Sequence, residues 1–230
     1  MTKTNKPIFY CELSYIAAIV IMAFGAAFTA KSDFGMSMVV APAYILHLKI
    51  SELLPWFSFG IAEYCIQGLL VLLTAIIMHR FRLSYLFSFI TAVIYGAMLD
   101  VATVITASLP TDLIYLRIIW FVIGTFFCSL GVSLFFHTYL PPEAYELVVK
   151  EISDNFSLNI NRVKICYDII STAVSVALSF MCFGFGVFKG IGIGTFISAT
   201  VNGILISRFS RLLEHCFVFK INLRIRRFFK

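Results

Sequence analysis

Six long apolar segments make up most of the sequence, and they constrain the fold more than any other feature. An α-helix needs about 20 apolar residues to cross the hydrocarbon core of a bilayer. Charged residues are 13% of the chain and hydrophobic residues 60%, whereas a soluble domain carries about 25% charged residues. The sequence therefore predicts one all-α polytopic membrane protein. The predicted spans are 13–30, 57–78, 84–107, 113–137, 163–183 and 189–207.

The segment between the first two spans is more than a simple loop. A Gly-Met-Ser turn opens an apolar run that contains Pro42, and Glu63 follows near the start of the second span. A weaker copy of this segment lies about one hundred residues later, where Pro142 opens an amphipathic helix. The apolar positions of that helix are Tyr145, Val148, Val149 and Ile152, and its polar positions are Glu143, Glu146, Lys150 and Glu151.

The chain reads as a three-helix unit that is used twice. An odd number of spans per unit places the second copy in the opposite orientation, so we expect two inverted repeats, at 13–107 and 113–207. Each repeat would contain a short amphipathic or re-entrant helix, which is a transporter architecture. Chance similarity between two apolar strings is the alternative. Four landmarks recur 105 to 107 residues apart, pairing Gly25 with Gly131, Met36 with Pro142, Glu63 with Asp168 and Gly96 with Gly203.

The distribution of positive charge predicts the orientation. With six spans, 14 of the 18 Lys and Arg residues fall on the side of both termini and four on the other side, so we expect residues 1–12 and a basic tail at 208–230 to be cytoplasmic. The tail is predicted to bind anionic lipid headgroups as an interfacial helix, although its apolar residues also alternate as in a strand. Because the charge lies beside a span, we expect no nucleic-acid partner.

Several short motifs resemble a known family. They are the Gly-x-Ser turn with its downstream proline, the Ser-Phe-Gly before the second span, the Arg162, Lys164 and Asp168 set and the Gly-Ile-Gly-Ile-Gly-Thr before the sixth span. Over residues 16–207 the chain is similar to the YczE/YyaS/YitT group of bacterial membrane proteins, nearest the YczE-like branch. The resemblance implies a helical fold in a bacterial plasma membrane rather than an activity.

Polar groups within the spans are the candidate binding residues, because charge at that depth is costly. Glu63 and Asp100 are predicted to lie roughly 10 Å below the outer surface, and Asp168 and Asn202 at a similar depth from the inner surface. Two close carboxylates in a low dielectric share one proton, which is the usual basis of proton coupling. There are two alternatives. Asp168 could pair with Lys164, and the negative charge of Glu63 could be stabilised by the first turn of its own helix.

Two glycine turns complete the candidate site. Gly35 with Ser37, and Gly192 with Thr195, each precede a predicted helix start, where free N–H groups can bind an anion. The alternative, which we favour, is that the glycines allow helices to cross closely.

We expect a secondary transporter of a small polar solute, with proton coupling as one option and with no cofactor or metal. An enzyme is not expected, because the sequence lacks a nucleophile–base pair, a metal-ligand set and a phosphate loop with a lysine. The substrate-binding subunit of a vitamin importer is one alternative. A non-transporting scaffold or regulator that acts through a protein partner is another, and a homo-oligomer is left open.

Overall fold

The computed structural model describes residues 6–221, without the side chains of residues 160 and 161. Over this range the chain is all-helical apart from two short strands, as the sequence predicts. The strands are β1 (Ile8–Tyr10) and β2 (Val218–Lys220). The helices are α1 (Cys11–Ser32), α2 (Ala41–Ile50), α3 (Phe59–Met78), α4 (Leu83–Ala107), α5 (Ile114–Phe135), α6 (Ala144–Phe156), α7 (Ile160–Phe183) and α8 (Ile193–Cys216).

Five of the described helices, α1, α3, α4, α5 and α7, are long and apolar enough to cross a membrane. The chain is therefore an integral membrane protein. The observed bounds of these five helices lie within three residues of the predicted spans. Helix α8 is 24 residues long but less apolar, since it contains Asn202 and Arg208, and it continues to Cys216 rather than ending near Ser207.

Helices α1 and α5 form an antiparallel pair at the centre of the fold. The Ser14 hydroxyl donates to the Leu134 carbonyl at one end (3.0 Å), and the Arg117 guanidinium donates to the Ser32 carbonyl at the other (2.8 Å). Between these ends a Cβ added to Gly124 would lie 2.8 Å from the Gly25 carbonyl oxygen. Side chains larger than hydrogen would therefore push the two backbones apart.

The remaining long helices pack on this pair. Helix α4 packs on α1 and α3, while α8 runs beside α5 in the same direction. Along α8, Gly194 faces Phe121, the Asn202 side chain accepts from the Ser129 hydroxyl (3.0 Å), and Glu214 lies 3.4 Å from His137. Helix α7 packs on α2 and α6 and hardly touches α8.

The short helices α2 and α6 both begin inside the bundle. At the start of α2 the Met38 carbonyl accepts from Ser171 in the middle of α7 (2.7 Å), and at the start of α6 the Ala144 N–H donates to Gln67 in α3 (3.0 Å). Helix α2 ends beside the beginning of α3, where His47 bonds to the Phe57 carbonyl. Helix α6 ends beyond the other end of α3. The two short helices therefore extend from the interior toward opposite ends of the bundle.

Strands β1 and β2 join the two ends of the described chain. They pair in parallel, with Ile8 opposite Val218 and Tyr10 opposite Lys220. The interfacial helix predicted for the tail is therefore wrong for residues 218–220, where the alternating pattern prevails. Residues 222–230 of the predicted tail lie outside the described residues, and residues 208–216 belong to α8.

Candidate functional site

A buried polar cluster lies where α6 begins against α3. Glu63 and Gln67 are one helical turn apart on α3 and are fully buried. Glu143, the residue before α6, is only 3% exposed. The Pro141–Pro142 turn brings Glu143 into the bundle, since the Ser88 hydroxyl donates to the Pro142 carbonyl at 2.6 Å. The cluster therefore combines two acids and an amide from two helices at one buried position.

The Gln67 amide joins the two carboxylates. Its Nε2 donates to Glu63 Oε1 and to Glu143 Oε2, each at 3.3 Å. Its Oε1 accepts from the Ala144 N–H, so the NH₂ group is fixed toward both acids. The Tyr145 hydroxyl donates to Glu63 Oε1 at 2.8 Å. The amide and the hydroxyl thus supply three hydrogen bonds to the carboxylates.

Each carboxylate also keeps one buried oxygen without a hydrogen-bond partner, Oε2 of Glu63 and Oε1 of Glu143. Among the described residues, no Lys, Arg or His forms an ion pair with either acid. Burial, followed by the charges of Glu146 and Glu63, raises the pKa of Glu143 well above its ordinary value. This site can hold a proton or another positive charge, which no side chain among the described residues supplies.

Repulsion within the pair has an appreciable size. The bonded oxygens of Glu63 and Glu143 each lie 3.3 Å from the same nitrogen and so are no more than 6.6 Å apart. Two unit charges at that separation repel by roughly 2.5 kcal/mol at an effective dielectric constant of about 20. The repulsion favours a form of the pair that carries only one negative charge.

Asp100 lies at a different position, where α3 begins. Its oxygens accept from the Ser58 hydroxyl (2.6 Å) and from the Gly60 N–H (2.7 Å). Ser58 in turn accepts from the Ile61 N–H, which completes the N-terminal cap of α3. The structure does not join Asp100 to Glu63 by a hydrogen bond, so the predicted outer pair is divided between a helix cap and the buried cluster.

Asp168 and Asn202 are not brought together either. Asp168 Oδ1 is buried without a hydrogen-bond partner. The side chains of Asp168 and Lys164 are both described, and they form no ion pair with each other. Asn202 binds Ser129 across the contact between α8 and α5. Because α7 and α8 hardly touch, these two polar groups act separately.

The two predicted glycine turns lie against each other. The Met36 N–H donates to the Gly190 carbonyl, and the Gly194 N–H donates to the Phe34 carbonyl, both at 2.9 Å. Two N–H groups that could have bound an anion are therefore already bonded to the chain, which supports the close-packing interpretation.

Glycine is required at the centre of this contact. Gly35 has a φ of +105°, and a Cβ there would collide with the Gly192 nitrogen and the Thr195 hydroxyl. The Thr195 hydroxyl accepts from the Gly192 N–H (3.2 Å) as α8 begins. The Ser37 carbonyl accepts from the Ala41 N–H (2.9 Å) as α2 begins. These four predicted site residues thus fix the starts of two helices.

The sequence pattern does not predict Glu143, Gln67 and Tyr145 as site residues. It placed Glu143 and Glu151 on the polar face of α6, but both are buried, and Glu151 accepts from Arg82 and Tyr85 at 2.9 Å. Two signals could have revealed the cluster. One is the Glu63–Gln67 pair, two polar residues four apart in an otherwise apolar span, and the other is an acid directly after two prolines.

The chain matches one family model over residues 10–211, and that family is described as a family of unknown function, DUF6198. No curated protein and no solved structure matches the chain at a significant level. The match therefore assigns no activity, and the resemblance to the YczE/YyaS/YitT group stays a prediction.

Proposed function

Since the chain belongs to DUF6198, a family of unknown function, we propose from its architecture that it is a secondary transporter of a small polar solute. The observation that carries the proposal is the pair of short helices that begin inside the bundle and extend toward opposite ends. In transporters built from inverted repeats, partial helices of this kind begin near the middle of the bilayer, where substrates and coupling ions bind.

Helix packing supports the inverted repeats. If α1 to α4 correspond to α5 to α8, the α1–α4 contact corresponds to α5–α8, the α2–α7 contact to α6–α3, and the α2–α3 contact to α6–α7. All six contacts occur. The α1–α5 contact corresponds to itself and is antiparallel, as a two-fold axis in the membrane plane requires. Two contacts break the correspondence. Helix α3 packs closely on α4 while α7 hardly touches α8, and α4 touches α6 while α8 hardly touches α2.

Helix α8 completes the proposed set of six spans. It accompanies α5 from Phe121 to His137, which is most of the length of a helix that is apolar enough to cross the membrane. With six spans both termini lie on the same side, and the excess of Lys and Arg there favours the cytoplasm. The resemblance to the YczE/YyaS/YitT group favours a bacterial plasma membrane.

The first experiment is a ligand screen across several chemical classes of solute. Purified full-length protein would be melted with amino acids, sugars, amines and organic acids, each at two pH values. A ligand at about 100 times its Kd stabilises the protein by about 2.7 kcal/mol, which is a readable shift. We expect one chemical class to stabilise the protein.

Transport of that class is then measured in proteoliposomes under a pH gradient. Glu143→Gln should lose gradient-driven uptake, whereas Asp154→Asn, which changes an exposed acid on the same helix, should retain it. If the folded protein binds no class in the screen and carries none across the vesicle membrane, the transport proposal is wrong.

A scaffold or regulator is the second candidate, and the β1–β2 ribbon favours it. The ribbon exposes apolar side chains at Ile8 (48%) and Val218 (41%), and exposed strands are a common mode of peptide docking. The double substitution Ile8→Lys and Val218→Lys would change this exposed apolar face. A transporter should keep its uptake in this variant, whereas a scaffold that docks through the ribbon should lose partner binding.

A further inference from the structure

We propose that Glu63 and Glu143 form a single proton-binding site, in which the two carboxylates hold one proton between them. The inference rests on the proposed function, because it names the coupling ion of that transporter and the atoms that bind it. It extends the sequence prediction in one respect, since the partner of Glu63 is Glu143 of α6 rather than Asp100.

The geometry of the Gln67 amide carries the proposal. Both carboxylates bind the same NH₂ group at 3.3 Å, and all three side chains are buried. The amide cannot turn away from the acids, because its oxygen is bonded to the Ala144 N–H. The two acids are therefore held close to each other by a neutral donor that cannot cancel a charge.

The titratable groups that interact with the pair include no base among the described residues, since all of them are neutral or acidic. They are Tyr15 on α1, Tyr95 on α4, Cys128 on α5, Tyr145 and Glu146 on α6, and Tyr167 on α7. Because no basic side chain among the described residues neutralises the pair, a bound proton would supply the positive charge.

A proton fits the site better than a metal cation does. A bound metal ion needs several oxygen ligands, typically six or more for the hard divalent ions. Here two carboxylate oxygens are without partners, and the nearby carbonyls of Pro141 and Pro142 already accept hydrogen bonds from Thr91 and Ser88. A proton requires only one oxygen, and its O–H bond reduces the charge of the pair from −2 to −1.

The proton also has a mechanical consequence. Glu63 belongs to α3 and Glu143 to the start of α6, so the Gln67 bridge fastens one helix to the other. Release of the proton to water leaves two negative charges on the bridge, and their repulsion weakens the contact. Proton binding would therefore couple to movement of α6 relative to α3, which a proton-driven transporter requires.

Infrared spectroscopy of the purified full-length protein tests the site without any solute. A protonated carboxyl gives a C=O stretch that disappears when it ionises. We expect such a band at neutral pH, a pH at which exposed carboxyl groups are already ionised and give no such band. Carbon-13 at the glutamate side-chain carboxyl should shift this band to lower frequency, whereas the same label on aspartate should leave it in place. No substitution is needed, so the test does not depend on a variant that folds.

Variants then assign the band. Glu143→Gln should remove it, and Asp154→Asn should retain it. Absence of the band at neutral pH would overturn the proposal. A shift of the band with labelled aspartate would also overturn it, because the proton would then lie on an aspartate such as Asp168, which has a buried oxygen without a partner. Loss of the band when sodium chloride replaces choline chloride at constant pH would overturn it in favour of an alkali cation. If the protein transports a solute but shows no band, only the proposed proton site is wrong. If the band is present but no solute is transported, only the transport proposal is wrong.

Discussion

In the proposed inverted repeats the two halves of the molecule correspond helix by helix, but they differ in what surrounds their short helices. In the first half, α2 begins beside uncharged groups, since the Ser171 hydroxyl binds the Met38 carbonyl and the Gly35 turn packs on the turn before α8. In the second half, α6 begins beside two buried carboxylates and the Gln67 amide. The proposed repeats thus provide two corresponding positions, and a hydrogen-bonded pair of buried carboxylates is described at only one of them.

A second difference concerns the pairs of long helices. Helix α3 crosses α4 so closely that a Cβ on Gly60 would collide with the Gly96 carbonyl. A Cβ on Gly203, the counterpart of Gly96 in the proposed repeats, would meet nothing within 4 Å. The tightly packed pair carries Glu63 and Gln67, so the α3 part of the ionisable site lies on the more closely packed pair of long helices. The following substitutions test this division.

The largest effect is expected for Gln67→Leu. The substitution removes one bond from the Ala144 N–H and two bonds to the carboxylates. Hydrogen bonds between membrane helices contribute about 0.6 kcal/mol each on average, and charge-assisted bonds are roughly twice as strong. The free energy of unfolding should fall by about 3 kcal/mol, measured by denaturant unfolding in detergent. Unchanged stability would mean that the cluster does not hold α6 on α3.

Gly60→Ala should have the next largest effect on stability. The added methyl group has to displace the α4 backbone, and overpacking of this kind costs about 1–3 kcal/mol. Gly203→Ala is the matched control, and it should be neutral or stabilise α8 by up to about 1 kcal/mol, since alanine favours a helix interior. Thermal melting of both variants checks the prediction. Equal destabilisation would show that the two halves are packed alike.

The pH dependence of stability should follow Glu143. Its pKa in the folded protein is raised above the ordinary value of 4.5, so the folded state keeps a proton that the unfolded chain releases. Stability is therefore greatest below about pH 4.5 and falls as the pH rises toward the raised pKa, by at most about 1.4 kcal/mol per pH unit for this one group. Melting curves between about pH 5 and pH 8 measure this slope, which Glu143→Gln should flatten and Asp154→Asn should not. A stability that rises over this range would contradict the prediction.

Ser171→Ala should have the smallest effect. It removes one neutral hydrogen bond at the start of α2, which contributes about 0.6 kcal/mol. The loss should show no pH dependence, because no buried acid is involved in this bond. The same melting measurements apply, and a loss as large as that of Gln67→Leu would remove the distinction between the two helix starts.

The helices of this fold could be predicted from the sequence because each long apolar segment has only one way to satisfy its backbone in a bilayer. That constraint placed the ends of α3 and α4 within about two residues. It does not apply to the tail, where helix and strand periods were both present. The strand at Val218–Lys220 depends on pairing with Ile8–Tyr10, more than two hundred residues earlier, and no local pattern reveals such a partner.

The candidate site could be predicted only in part, for a related reason. Depth along a span identified Glu63 as unusual, but depth does not determine which neighbour an acid meets. Asp100 faces the N-terminus of α3 and becomes a helix cap, whereas Glu143 was counted with the polar face of α6 and is buried. Helical periodicity describes one helix at a time, and α6 buries part of its polar face because α3 and α4 supply the matching polar groups.

The parallel ribbon of β1 and β2 has a consequence for the order of events during synthesis. The strand at Ile8–Tyr10 leaves the ribosome first, but its partner at Val218–Lys220 follows about two hundred residues later. Domains generally fold as the chain emerges, so α1 can meet α5 long before its own N-terminal strand finds a partner. Among the described contacts the ribbon is then the last that can close, and its closure requires that α1 to α8 have all been made.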